Sequence, residues 1–248
     1  VTVGEHGVRG RSGDVEKPPG TCRILAFGGS HTYGADVSDG ESWPGQLEAE
    51  LRRRGHAVEV WNLGVSGWET QQKVAALRAA KLEADAAIVQ IHNLGPPYVL
   101  AGHAGEAIAG DAGLRAAWAP GAVGPLALAR LPAVAKEKRR RASIEGWPAD
   151  RLVAWGTEGL QALTRLQHDG VLPFGVYVPL PGLQDKLEVG VETLERAGIP
   201  LLDLRDAEHP FGEQGEHIHP GAGVYAWTAA RLADWVEGGA LPCPAPRR

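Results

Sequence analysis

The stretch Arg23-Ile24-Leu25-Ala26-Phe27-Gly28-Gly29-Ser30-His31-Thr32-Tyr33-Gly34 decides the fold. It reads as a buried strand that stops at two glycines and then presents a serine. Glycines permit a tight strand-to-helix corner, and a helix N-terminus beyond it offers free N–H groups to a negative charge. A serine held there is still a weak nucleophile unless a base sits beside it. The far end of the sequence offers a candidate base. Glu216-His217-Ile218-His219-Pro220 places a carboxylate three residues before a histidine.

Working outward, strand and helix patterns alternate. The first strand is read over Arg23–Phe27. Trp43, Leu47 and Leu51 recur at i, i+4 spacing, which predicts a helix over Trp43–Arg54, ended by Gly55. Ala57–Asn62 alternates and is β-rich, so it is a second strand. A glycine-rich corner, Leu63-Gly64-Val65-Ser66-Gly67, leads to a helix over about Glu69–Leu82. The continuous apolar run Ala86–Ile91 marks a strand buried on both faces. A helix is expected near Gly124–Arg141 and another over Ala149–His168. A strand over Leu172–Val178, a helix over Gln184–Ala197, a short strand over Pro200–Leu204 and a helix over Gly223–Val236 complete the series.

Such alternation predicts an α/β fold, a mostly parallel five-stranded sheet with helices on both faces. Sites in these sheets form at the carboxyl ends of the strands, near the switch point. The Ser30, Gly67 and His92-Asn93 corners all follow strand ends, so they converge on one edge. The expected organisation is an extended arm over 1–20, a single α/β domain over 21–240, and a tail over 241–248. Within the domain, 97–146 reads as an irregular or helical insertion near the site.

Composition narrows the classes. A hydrophobic share of 44% with 22% charged residues is that of an ordinary globular protein. A net charge of −5 gives no reason to expect nucleic acid. No apolar run approaches the roughly 18–20 residues that span a bilayer. No signal peptide is visible, which leaves a cytoplasmic protein or a secreted one whose leader lies outside this sequence. The two cysteines, Cys22 and Cys243, cannot build a zinc cluster and are expected to be isolated thiols, with one disulfide as the alternative.

The Gly28-Gly29-Ser30 and Glu216–Pro220 blocks together resemble those of the SGNH (GDSL-type) hydrolases, over about Val1–Val236. The resemblance implies a three-layer, flavodoxin-like sandwich and a serine esterase that needs no cofactor. Ser30 stands for the nucleophile, His219 for the base and Glu216 for the acid, where the family carries Asp. Gly29 replaces the usual Asp before the serine. The Asn62–Gly67 corner resembles the second block, with Gly67 as an oxyanion donor beside the Ser30 N–H and Gly64 shaping the turn. The third block departs from the family pattern: counted from Asp85, the asparagine position falls on Leu94, and one missing residue would make Asn93 the donor.

Histidines gather in these blocks. His31, His92 and His217 are read as pocket residues. His217 and His219 with Glu216 have the makings of a metal set, and a polar pocket with extra histidines beside the triad is the preferred reading of them. The basic run Lys136–Arg141 reads as a solvated helix end or a contact for an anionic substrate, and Trp118, Trp147 and Trp155 as core or stacking platforms. The implied substrate is a small-molecule or glycan ester: a small acyl group on a sugar, lipid or secondary metabolite. An acyltransferase running through the same acyl-enzyme, and a catalytically weakened binding protein, are the alternatives.

Overall fold

The structure is a computed structural model that describes residues 2–4, 7–11, 15–68, 70–91, 149–180, 188–211 and 219–243. Its centre is a five-stranded sheet: β1 (Cys22–Phe27), β2 (Val58–Asn62), β3 (Ala86–Gln90), β4 (Phe174–Val178) and β5 (Leu201–Asp203). The order is β2-β1-β3-β4-β5 and every pairing is parallel. This is the doubly wound order whose switch point lies between β1 and β3. Ile24 pairs with Val60 on one side and with Ala86 on the other, which puts β1 at the centre of the site-bearing edge.

The helices are α1 (Ser30–Tyr33), α2 (Trp43–Arg53), α3 (Thr70–Ala79), α4 (Ala149–Asp169), α5 (Glu188–Arg196) and α6 (Ala222–Trp235). They flank both faces because the strands are apolar on both. On one face Leu25, Phe27, Val89 and Val176 pack with Val74 and Leu77 of α3 and with Leu160, Leu163 and Leu166 of α4. On the other, Ile24, Ala26, Ile88 and Tyr177 meet α2 and α6. Helix α2 offers the predicted Trp43, Leu47 and Leu51 stripe. Helix α6 offers Tyr225, Ala229, Leu232 and Ala233 at helical spacing. The three-layer α/β expectation is met, with element ends within a few residues of those read from the pattern. The expected helix at Gly124–Arg141 lies outside the described residues, as do the basic run and Trp118 and Trp147.

Two features depart from the sequence reading. Cys22 and Cys243 form a disulfide, with Cα atoms 5.6 Å apart, rather than standing as isolated thiols. The sheet order and α6 return the chain's end to the start of β1, a closure that spacing along the sequence does not reveal. The N-terminal lead-in also docks on the sheet. Arg9 bridges to Asn62 at the end of β2, and Val8 and Arg9 are buried. Among the described residues no helix is long and apolar enough to cross a membrane.

Candidate active site

Ser30 opens α1, a single turn that leaves the carboxyl end of β1. Gly28 and Gly29 are buried and Ser30 is half-buried. The turn is closed by the Tyr33 N–H on Gly29 O at 2.9 Å and the Gly34 N–H on Ser30 O at 2.8 Å. Gly34 then takes φ 79°, a left-handed residue where glycine is unstrained. A Cβ on Gly28 would lie 1.8 Å from Thr32 Oγ1, so the strand can turn this sharply only without a side chain there.

Thr32 anchors the turn from beneath. Its hydroxyl donates to Gln90 Oε1 at 2.8 Å and accepts from Trp43 Nε1–H at 3.2 Å. All three side chains are fully buried. The Thr32 carbonyl accepts from Asn62 Nδ2 at 2.7 Å, and Asn62 Oδ1 accepts the Gly64 N–H at 3.0 Å. The serine turn is thus tied to β2, β3 and α2 by buried hydrogen bonds, which hold a position more firmly than exposed ones. Gly64 lies directly against it; a Cβ there would be 2.3 Å from Tyr33 N. Gly67, at φ 83°, sits in the next turn, closed by the Trp68 N–H on Val65 O.

From the opposite end of the chain, His219 reaches the same turn. Its ring meets that of His31, the residue after Ser30, edge-on at 6.0 Å between centroids. Its Nδ1 faces Asp36 Oδ2 at 2.9 Å. Asp36 follows α1 and has φ 68°. Near it lies Tyr225, whose buried hydroxyl has no hydrogen-bond partner among the described residues. Burial pushes the Tyr225 hydroxyl well above its ordinary value; Arg9 opposes this and Asp36 adds to it. Among the described residues no group of three or more His, Cys, Asp or Glu is placed to hold a metal ion.

Comparison with solved structures bears on the fold. The lipase/acylhydrolase from Enterococcus faecalis aligns with a TM-score of 0.56 at 14% identity, over 92% of this chain and 99% of its own. A putative lipolytic protein of the G-D-S-L family from Desulfitobacterium hafniense aligns at 0.52 and 16%, over 86% and 98%. The fold is that of the GDSL-type hydrolases. The psychrotrophic esterase EstA from Pseudoalteromonas sp. also aligns, at 0.52 and 11%, over 88% and 97%. No protein-family model matches the sequence, and no curated protein matches it.

Within this GDSL-type fold, Ser30, His31, Gly64, Gly67 and His219 are described, and His219 is brought to the turn that carries Ser30 and His31. His92, Asn93, Glu216 and His217 lie outside the described residues. The sequence reading missed Asp36 and the Thr32–Gln90–Trp43–Asn62 bracing. Asp36 carried no usable signal, since its partner is 183 residues away. Gln90 did carry one: a polar residue in an otherwise apolar central strand demands a buried partner.

Proposed function

We propose that this protein is a serine hydrolase that cleaves a carboxylic ester through an acyl-enzyme on Ser30. The edge-on packing of His219 beside His31 carries the reading, because it sets a histidine over the strand-to-helix turn at the switch point. In this mechanism His219 Nε2 takes the Ser30 hydroxyl proton as Oγ attacks the ester carbonyl. Negative charge develops on the carbonyl oxygen. The Ser30 and Gly67 N–H groups and the Asn93 side-chain amide are the proposed donors to it. His219 then returns the proton to the leaving alcohol, and water, deprotonated by the same nitrogen, releases the acid. A small acyl group on a sugar, lipid or secondary metabolite is the proposed substrate class, in keeping with the esterase and lipolytic neighbours.

Hydrolysis of p-nitrophenyl acetate and labelling by a fluorophosphonate probe test this. Ser30→Ala and His219→Ala are expected to lower kcat by on the order of 10^6-fold, and Ser30→Ala to abolish labelling. Equal background rates in wild type and Ser30→Ala, with no labelling of either, would sink the reading.

A further inference from the structure

We infer that Asp36, from the loop after the serine turn, is the carboxylate that orients His219. The inference rests on the reading of Ser30 as nucleophile and His219 as base. An imidazole can accept the serine proton at Nε2 only if its other nitrogen carries hydrogen. A carboxylate on Nδ1 fixes that tautomer and steadies the imidazolium that forms. Asp36 Oδ2 stands 2.9 Å from Nδ1, a normal hydrogen-bond distance for Nδ1–H donating to a carboxylate.

The loop is built to hold it there. Asp36 is the one non-glycine with positive φ among the described residues. Asp and Asn tolerate this conformation better than most residues, though seldom without a reason. Arg9 fixes the loop on both sides of Asp36. Its guanidinium donates to the carbonyls of Tyr33, Gly34 and Val37 and stacks on the Tyr33 ring at 4.6 Å. Its Nε pairs with Asp39 Oδ1 at 2.8 Å. Backbone and clamp together hold the segment from which the carboxylate reaches His219.

Glu216 is the rival expected from sequence, and the two are separable. The Asp36 side chain is 81% exposed, so water competes for its oxygens. Its action is to set the tautomer, not to bury a charge. Removing it is expected to cost less than removing a buried acid, about 10- to 100-fold in kcat.

The test uses the full chain and p-nitrophenyl acetate. Asp36→Asn and Asp36→Gly both suit a left-handed backbone, so both are expected to keep the wild-type unfolding midpoint. Both are expected to lose about 10- to 100-fold in kcat with KM within about two-fold. Added formate is expected to restore part of the rate of Asp36→Gly, which a merely structural residue would not allow. Wild-type kcat in both Asp36 variants overturns the inference, and a loss confined to Glu216→Gln assigns the role to Glu216. A wild type that neither turns over nor takes up the fluorophosphonate label overturns the serine-hydrolase reading itself, and this inference with it. Labelling that proceeds in wild type and at an equal rate in both Asp36 variants overturns only the inference.

Discussion

A methyl group at Gly64 would have nowhere to go. It would lie 2.3 Å from Tyr33 N, 2.7 Å from Thr32 C and 2.9 Å from Thr32 Cβ. Two of these are backbone atoms of the serine turn, so no rotamer change relieves the clash. The Gly64 backbone is not left-handed, and space alone dictates glycine. Gly64→Ala is therefore expected to push α1 away from β2 and cost about 1–3 kcal/mol of stability. It is also expected to lower kcat by about 10- to 100-fold, because small displacements of a nucleophile are expensive. Urea unfolding and p-nitrophenyl acetate kinetics check both, and unchanged values would mean that the turn yields freely. Gly64 was legible as a corner residue from its place after an alternating strand. Its contact with Thr32 was not, because it joins two corners that only the parallel pairing of β1 and β2 brings together. The same holds for Thr32, Gln90 and Trp43. Each lies in a recognisable element, but the hydrogen bonds linking them depend on which side chains face the layer below α1.

Between residue and fold, the lead-in matters more than its composition suggests. A glycine- and charge-rich arm gives no periodicity, so the sequence supports only an irregular segment. In the structure Arg9 is 4% exposed and serves three carbonyls around Asp36 as well as Asp39. Burial pushes the Asp39 carboxyl up, but the bonds from Arg9 and from the Thr2 N–H outweigh it, so the net shift is downward. The sign follows: the Asp39 contribution is complete above the ordinary carboxylate range and is lost as pH falls through the lowered value. Arg9→Met would remove a buried donor shared by the three carbonyls and the Asp39 carboxylate, which would keep the Thr2 N–H. It is expected to cost about 2–4 kcal/mol at neutral pH. Asp39→Asn in the same chain is expected to recover part of that loss, because a neutral amide no longer leaves a charge unpaired. Chemical denaturation of the single and double variants checks this. An additive double variant would show that Arg9 acts through the carbonyls alone.

At the scale of the whole molecule, the topology was readable because each strand carries its own apolar run and each helix its own stripe. A parallel sheet followed from that alternation and was found, with the Ser30 and Gly64–Gly67 corners leaving the ends of β1 and β2. The closure of the chain was not readable, because two cysteines separated by 221 residues give no pairing signal. Helix α6 decides it by packing against α2, with Arg54 paired to Asp234 and Glu237 at 2.7 Å each, which carries the chain back to the first strand. The Cys22–Cys243 bond then closes a loop spanning most of the chain. Loop-closure entropy for that length predicts about 5 kcal/mol, and measured disulfides usually give about 2–4. The double variant Cys22→Ala, Cys243→Ala is accordingly expected to lose about 2–5 kcal/mol of unfolding free energy, and reductant to lower the wild-type midpoint to a similar extent. Its kcat well below the transition should match wild type, because Cys22 opens β1 whereas Ser30 follows that strand's other end. Such bonds are favoured by oxidising surroundings. Alkylation of both thiols in the folded, unreduced protein would show that the bond does not form. A large drop in kcat at full folding would show that strain passes along β1 to the serine turn.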